Sequence, residues 1–221
     1  MNELQNLRAS LLDKVNYDVN EAIKCFSFIV GEDSCKTQRG NSINPIDYAD
    51  GVYICYNDGH NELYDGNNPK DDVRGIGLVV GSHSLCVSLR DIDDTKLTNR
   101  DDKSDYDKYI SDWDLARMDY DGAENTKHIQ EIGTDIKLAN GEYIPSIGEL
   151  YLIYLHKYKI NKALSYVYGK QIADEWYWSS TELSAGLAWT LSLGYGFQNG
   201  SSKTSYQRRV RPVSALISST L

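Results

Sequence analysis

The change in hydrophobic spacing near residue 170 constrains the fold of this chain more than any other feature of its sequence. Before that point, residues 146–149 form a capping box, in which a Ser hydroxyl and a Glu carboxylate satisfy backbone N–H groups at the start of a helix. Apolar residues follow at helical spacing. The pattern predicts a helix that breaks near residues 159–161 and a second piece over 161–168 that Gly169 ends.

Short strands replace the helical pattern toward the carboxyl end. Residues 188–193 alternate apolar and small polar side chains, which predicts a strand with Thr190 and Ser192 on its outer face. Glycine and serine residues over 194–205 predict turns and an exposed hairpin. Residues 209–213 predict a closing strand, whose proline restricts it to an edge or a strand end.

The middle of the chain predicts further strands and short helices. Three runs bounded by turn residues predict strands over 51–56, 75–80 and 85–89. An Asn-Asp-Gly turn follows the first of these strands. Two short helical pieces are expected over 113–118 and 125–132.

The first 46 residues differ from the rest of the chain. Residues 2–30 predict an amphipathic helix and residues 31–46 a polar linker, so we expect an N-terminal helical segment and linker over 1–46 and a main domain over 47–221. The helix would serve in assembly or attachment, or simply pack on the main domain. Charged residues interrupt the first stretch, and no apolar run approaches the roughly 18 residues of a membrane helix, so neither a signal peptide nor membrane insertion is expected.

The charge of the chain excludes some classes of partner. Its net charge is −9 and its pI is about 4.9, which argues against binding to nucleic acid or to an anionic membrane. Its 17 tyrosines stand beside only 3 phenylalanines. Tyrosine suits exposed recognition surfaces, and it also replaces phenylalanine in half-buried strands.

The cysteine and aspartate patterns do not predict a metal site. The cysteine spacings form no CxxC pair, which excludes zinc ribbons and dithiol redox motifs. Cys55 and Cys86 fall in predicted strands and are expected to be buried free thiols, whereas a Cys25–Cys35 disulfide remains open. The aspartate-rich stretch 91–107 lacks the Gly and Glu of an EF-hand, so a solvated loop is favoured over a calcium site.

A series of motifs in fixed order carries a resemblance to a known group of proteins. The motifs are residues 143–146 (YIPS), 149–150 (EL), 176–182 (WYWSSTE), 188–189 (AW) and 208–213 (RRVRPV). The series resembles C-type-lectin-fold proteins of gut Bacteroidales and their phages. Some of those are the variable proteins of diversity-generating retroelements, distant relatives of the phage major tropism determinant. Over residues 47–215 the resemblance implies an α+β fold, C-type-lectin-like, with two helices, small antiparallel sheets and long loops.

The resemblance also implies a division of labour near the carboxyl end. One set of residues would hold the scaffold, namely Trp178, Glu182, Trp189, Arg209 and Arg211. The residues between them would form a ligand-binding surface within 183–207, namely Leu183, Ser184, Ala185, Gly186, Leu187, Thr190, Ser192, Gly194, Tyr195, Phe197, Gln198, Ser201, Ser202, Ser205, Tyr206 and Gln207. In retroelement-diversified members, positions of this kind vary because template adenines are miscopied.

The residue types in this stretch support the same division. Aromatic side chains among Ser, Gly and Asn residues have the composition of a paratope, and Tyr195 and Phe197 lie between glycines. The alternative is that Phe197 folds back into the core. The tryptophans would form a sugar-stacking platform or, as we favour, pack in the core. Arg209 and Arg211 are expected to pair with scaffold carboxylates such as Glu182.

Enzyme signatures are weak in this sequence. Formylglycine-generating enzymes share the fold class but rely on cysteines near the carboxyl end, and this chain has none after Cys86. It contains no HExxH or GxSxG motif, and residues 194–200 do not form GxGxxG. The four histidines share no ligand spacing. We therefore expect no catalytic residues, no metal and no cofactor.

The sequence thus predicts a non-catalytic recognition protein. Its partner would be a protein or glycan on a cell surface, and the protein would belong to a phage virion or a bacterial surface. A homo-oligomer is compatible with this prediction. A structural subunit of a surface fibre or adhesin is the main alternative. A relative of the formylglycine-generating enzymes is a further one.

Overall fold

The computed structural model describes residues 48–102, 106 and 108–216. The expected N-terminal helix, linker and domain boundary, and the open Cys25–Cys35 pairing, lie outside the described residues. None of the described helices is both long enough and apolar enough to cross a membrane.

The first of two sheets is antiparallel throughout. It contains β1 (Gly51–Tyr56), β2 (Asn61–Leu63), β3 (Val73–Val80), β4 (His83–Ser88), β6 (Glu142–Tyr143) and β11 (Val213–Ser214). Their order is β2-β1-β3-β4-β11-β6. The three strands predicted in this part of the chain are confirmed, and the Asn-Asp-Gly turn follows β1 with Gly59 at a φ of 93°.

The second sheet mixes parallel and antiparallel pairs. It contains β5 (Ile92–Thr95), β7 (Trp176–Ser184), β8 (Leu187–Ser192), β9 (Gln198–Ser202) and β10 (Arg208–Val210). Their order is β5-β10-β7-β8-β9, and β10 runs parallel to β7. The fold is therefore a mixed α+β arrangement, and the expectation of purely antiparallel sheets is correct for the first sheet only.

Three helices occur in the described part of the chain: α1 (Trp113–Ala116), α2 (Gly122–Ile132) and α3 (Ile147–Tyr166). The capping box predicted at the start of α3 is confirmed, since the Ser146 hydroxyl accepts from the Glu149 N–H and the Glu149 carboxylate accepts from the Ser146 N–H.

The predicted break in α3 is wrong. The helix continues because Ile160, Ala163 and Leu164 are fully buried, so packing holds the backbone helical beyond residue 159. Asn161 does not end the helix. Its side-chain amide donates to the Ile172 carbonyl at 3.1 Å and accepts from the Ile172 N–H at 2.8 Å. Asn161 therefore ties the segment after the helix back onto it.

The predicted closing strand is divided between the two sheets. β10 ends at Val210 in the second sheet, and β11 begins at Val213 in the first. Pro212 lies at the crossing, where its carbonyl accepts from the Ser88 N–H at 2.9 Å. Proline has no N–H to donate to a ladder, so it marks the point at which pairing with one sheet stops.

The core lies between the sheets around α3, which packs against β1 and β3 of the first sheet and β7 and β8 of the second. A further cluster of buried side chains joins α2 to the second sheet, and it comprises Leu97, Ile129, Ile136, Ile144, Trp178, Ala188 and Val210. Cys55 and Cys86 are buried free thiols, as predicted. Space for the Cys86 thiol exists because β3 has a glycine beside it: a Cβ on Gly75 would lie 2.5 Å from Cys86 Sγ.

Candidate functional site

The predicted ligand-binding residues lie at two opposite ends of the β8–β9 hairpin. The strands pair from Leu187 with Ser202 at one end to Leu191 with Gln198 at the other. The turn over 193–197 follows the second end, while 183–187 and 202–207 surround the first. Since a strand rises about 3.4 Å per residue, the four steps from Leu187 to Leu191 separate the two ends by roughly 14 Å.

Four predicted ligand-binding residues are buried, which corrects their assignment to an exposed surface: Thr190, Ser192, Gln198 and Ser201. Ala188, two residues before Thr190 on the same face of β8, belongs to the buried cluster between α2 and the second sheet, so the predicted outer face does not reach solvent. The Thr190 hydroxyl donates to the Asn199 carbonyl at 3.0 Å and lies 3.2 Å from the Ser201 hydroxyl. Gln198 accepts from Arg117 at 3.2 Å. The hydroxyls and the Gln198 carbonyl oxygen thus have partners inside the protein, whereas Gln198 Nε2 has no hydrogen-bond partner among the described residues.

The remaining members of the predicted set reach solvent to different degrees. The half-buried ones are Leu183, Ser184, Gly186, Gly194 and Ser202. The exposed ones are Ala185, Leu187, Tyr195, Phe197, Ser205, Tyr206 and Gln207. Phe197 therefore points outward, and the alternative in which it folds back into the core is wrong.

Tyr195 and Phe197 are the most exposed aromatic pair in the predicted surface. Their side chains are 74% and 66% exposed, and their ring centroids lie 6.2 Å apart with nearly parallel planes. Two hydrogen bonds to Ser192 fix the turn that carries them. The Tyr195 N–H donates to the buried Ser192 hydroxyl at 3.3 Å, and the Ser192 N–H donates to the Phe197 carbonyl at 2.8 Å. A fixed turn presents the two rings with little loss of freedom on binding.

Gly196, between the two rings, cannot be replaced without changing this turn. Its φ is 71°, in the left-handed region that favours glycine. A Cβ at this position would lie 2.7 Å from Cε1 of Tyr154 on α3. The turn therefore rests directly on the helix.

Contacts extend this surface from the turn to α1. The Tyr151 hydroxyl donates to the Gly196 carbonyl at 3.3 Å, and the Arg117 guanidinium lies 4.7 Å from the Tyr151 ring. The same guanidinium lies 5.6 Å from the ring of the exposed Trp113. We call Trp113, Arg117, Tyr151, Tyr195 and Phe197 the aromatic surface. Such a combination of rings and one guanidinium is typical of binding surfaces.

The scaffold tryptophans pack in the core. Trp178 is fully buried and its indole N–H donates to the Thr95 carbonyl at 2.8 Å. Trp189 is 4% exposed and donates to the Ile110 carbonyl at 2.8 Å. These two residues therefore pack in the core, as expected, and do not form a sugar-stacking platform.

The scaffold arginines pair with a different carboxylate from the expected one. Arg211 is fully buried, and its Nε lies 2.6 Å from Asp91 Oδ1. Arg209 lies 3.6 Å from Asp91 Oδ2. The expectation of pairing with Glu182 is wrong, because Glu182 is occupied by Lys203. Asp91 belongs to the aspartate-rich stretch, where it is buried and not part of a solvated loop.

A buried polar cluster, absent from the sequence prediction, lies at the first end of the hairpin. Lys203 pairs with Glu182 Oε1, and Glu182 Oε2 lies 3.4 Å from His128 Nε2. The same nitrogen lies 2.9 Å from Asp102 Oδ2, which accepts from the Tyr109 hydroxyl at 2.6 Å. We call Asp102, Tyr109, His128, Glu182 and Lys203 the buried polar cluster.

Burial changes the acid–base properties of this cluster. Desolvation raises the pKa of Glu182, while the Lys203 ammonium opposes that rise. Desolvation and the hydrogen bond to Asp102 raise the pKa of Tyr109, so this hydroxyl stays protonated as a donor. Among the described residues, no group of three His, Cys, Asp or Glu side chains is arranged to hold a metal ion.

A loop from the aspartate-rich stretch packs over this end of the hairpin. The Asp102 N–H donates to the Ala185 carbonyl at 3.1 Å, and the Leu97 N–H donates to the Lys203 carbonyl at 3.0 Å. The first end of the predicted surface is thus partly covered, whereas the turn that carries Tyr195 and Phe197 is open.

Comparison with known proteins gives one fold-level similarity. A crystal structure of a fimbrial protein from Bacteroides ovatus is similar to this chain with a TM-score of 0.50 and 17% sequence identity. The similarity covers 75% of this chain and 48% of that protein, so the chain spans about half the length of the protein it matches. No protein-family model and no curated protein matches the chain.

Proposed function

We propose that this protein is a non-catalytic subunit of a bacterial surface fibre or adhesin. The observation that carries the proposal is the fold shared with a fimbrial protein over 75% of the chain. At 17% identity the similarity concerns the fold, and the role in a fibre is our inference from it. The absence of cysteines after Cys86 argues against the formylglycine-generating alternative.

Labelling of intact cells tests the location that this proposal requires. Antibodies raised against the purified chain are expected to label the outside of bacteria that carry the gene, and to decorate filaments in electron micrographs. Brief protease treatment of intact cells should remove the label while a cytosolic marker stays intact. Label that survives the protease and appears only after lysis would reject a surface fibre.

A second candidate function is recognition of a cell-surface protein or glycan by the aromatic surface. The exposure of Tyr195 and Phe197 on a turn fixed by Ser192 favours it. We include in this proposal a C-type-lectin-like fold. We also include the assignment of the chain as a variable protein of a diversity-generating retroelement, in which residues 183–207 would differ among relatives. The aromatic surface would act in a fibre subunit as its adhesive part, or as a contact between copies of the chain.

Paired substitutions distinguish binding by the turn from binding elsewhere. Replacing both Tyr195 and Phe197 by alanine should weaken binding to host-cell glycoproteins by at least tenfold, because exposed aromatic anchors contribute about 2 kcal/mol or more each. Tyr168→Asn is a suitable control: the side chain is also exposed, and Asn tolerates the φ of 61° there. Equal binding by the double variant and the control would reject recognition by the turn.

The DNA beside the gene tests diversification separately. A reverse-transcriptase gene and an imperfect repeat of codons 176–213 are expected there. Relatives that vary as much in α3 as in residues 183–207 would contradict it.

A further inference from the structure

Lys203 and Glu182 form a contact that no expectation from the sequence explains. Both side chains are essentially inaccessible to solvent, at 0% and 1% exposure, and Lys203 Nζ contacts Glu182 Oε1. Lysine is rarely buried completely, because its amine loses its hydration there. Glu182 Oε2 has no hydrogen-bond partner among the described residues. If the pair remains ionic, it therefore destabilises the folded state through the desolvation of both charges.

The backbones on both sides of this pair are fixed. The Lys203 N–H donates to the Gly186 carbonyl at 3.0 Å, and the Lys203 carbonyl accepts from the Leu97 N–H at 3.0 Å. The Glu182 carbonyl accepts from the Ile110 N–H at 2.9 Å. The amine and the carboxyl group are thus held together by the fold, which raises the effective concentration of one toward the other.

We propose that Lys203 and Glu182 condense to an intramolecular isopeptide bond, joining Nζ to Cδ with the release of one water molecule. The bond would link β7 to the segment after β9. It goes beyond the proposed function and does not depend on it. Condensation would remove both buried charges.

The reaction begins with the neutral form of the pair. A proton moves from the Lys203 ammonium to the Glu182 carboxylate, and the burial that raises the pKa of Glu182 favours the resulting carboxylic acid. The Nζ lone pair then attacks Cδ, and the carbonyl electron pair moves onto oxygen. The absence of bulk water around the pair favours this step, as it does other condensations in closed sites.

His128 is placed to stabilise the charge that forms on Oε2 during the attack, because its Nε2 lies 3.4 Å from that oxygen. When the carbonyl between Cδ and Oε2 re-forms, the Cδ–Oε1 bond breaks. Oε1 leaves as water with the proton received from Lys203 and the surplus proton of Nζ, so one amine and one acid become one amide and one water. Asp102, 2.9 Å from His128 Nε2, positions the ring, and Tyr106 stacks on it at 3.6 Å.

Intact-mass spectrometry of the full, purified and then denatured chain tests the bond. We expect a mass lower than that of the sequence by one water, about 18 Da. The Lys203→Met variant should show no deficit. Glu182→Gln should lose one ammonia instead and reach the same final mass as the wild type. Proteolysis should yield a branched peptide that joins the segments containing residues 182 and 203.

A second lysine–carboxylate pair provides a matched control. Lys157 contacts Asp174, whose side chain is 81% exposed, so that pair should remain ionic. Lys157→Met should keep the one-water deficit of the wild type. In His128→Gln the cross-linked fraction should be smaller after the same incubation, and equal fractions would overturn the role of His128. A wild-type mass equal to that of the sequence, with no branched peptide, would overturn the bond itself.

Discussion

At the scale of single residues, Arg211 is the side chain whose loss should destabilise the protein most. It is fully buried, pairs with Asp91, and donates to the Ser88 carbonyl at 2.9 Å and the Lys170 carbonyl at 3.0 Å. Arg211→Ala should lower the free energy of unfolding by about 3–5 kcal/mol, because it removes the fully buried charge that lies nearest to the buried Asp91 carboxylate.

Urea denaturation of the purified protein measures this effect. Arg208→Ala is the control, since Arg208 donates to the neighbouring Gln207 carbonyl at an exposed position and lies over the exposed Tyr206 ring. The control should change the free energy of unfolding by less than about 1 kcal/mol. Comparable losses in both variants would contradict a structural role specific to the Asp91 pair.

The Glu149 carboxyl group should make the free energy of unfolding decrease as the pH rises. Burial raises its pKa from 4.5 to about 7. The folded protein therefore binds this proton more tightly than the unfolded chain does. The resulting stability is fully present below pH 4.5 and is lost as the pH rises to about 7, by at most about 1.4 kcal/mol per pH unit.

A glutamine at this position isolates that contribution. Gln also forms capping boxes but does not titrate, so the free energy of unfolding of the wild type should fall relative to Glu149→Gln between pH 4.5 and 7. Glu124→Gln, which replaces an exposed carboxylate paired with Lys127, should follow the wild-type pH profile over that window. Parallel curves for the wild type and Glu149→Gln would disprove the shift.

Residues whose partners are close in sequence were the ones that could be predicted. The Ser146–Glu149 capping box depends on three residues of spacing, and it was found from the sequence alone. The partner of Arg211 lies 120 residues earlier, at Asp91, and spacing carries no information about such a distance. Thr190 and Ser192 were assigned to solvent because alternation distinguishes two faces of a strand, but it does not say that both faces are covered.

At the scale of elements, the glycines of β3 are required for its packing. A Cβ on Gly75 would lie 2.5 Å from Cys86 Sγ and 2.6 Å from the Val87 carbonyl oxygen, which is backbone and cannot rotate away. Gly75→Ala should therefore lower the free energy of unfolding by about 1–3 kcal/mol through overpacking.

Gly186 supplies the comparison for that substitution. A Cβ there would meet only Asp101 atoms, at 3.6 Å and beyond, so Gly186→Ala should change stability by about 1 kcal/mol or less. Thermal denaturation followed by circular dichroism measures both variants. Stability of Gly75→Ala equal to that of the wild type would show that β3 can move away from β4.

Long-range packing also decided the element boundaries that the sequence did not predict. The polar residues around Asn161 suggested a break in α3, yet buried residues on the next turn keep it helical. The run over 209–213 reads as one strand, because arginine and apolar residues alternate over 209–212. Only the positions of the two sheets determine that it divides at Pro212.

At the scale of the whole molecule, the separation of the two hairpin ends limits how a partner binds. A monosaccharide or disaccharide is shorter than the roughly 14 Å between the two ends, so it can contact one end only. We expect binding of a short glycan to be impaired by Tyr195→Ala with Phe197→Ala and not by Leu187→Ala with Tyr206→Ala. Calorimetric titration measures both, and equal losses would show a footprint that includes both ends.

The general fold class could be predicted, and the shape of the site could not. The change from helical to strand spacing and the motif series led to an α+β fold, which the structure confirms. The β8–β9 hairpin turn, which the predicted surface includes, exposes Tyr195 and Phe197. It did not predict that Trp113, Arg117 and Tyr151 would join them, because those residues come from distant helices.

The crossing at Pro212 has a consequence for synthesis. Among the described residues, β5 of the second sheet pairs with β10, and β6 of the first sheet pairs with β11. Both sheets therefore need residues 208–214, which are synthesised after all the other described strands. A nascent chain that has reached β9 still has unpaired strand edges in both layers, so neither sheet is complete until β11 has left the ribosome.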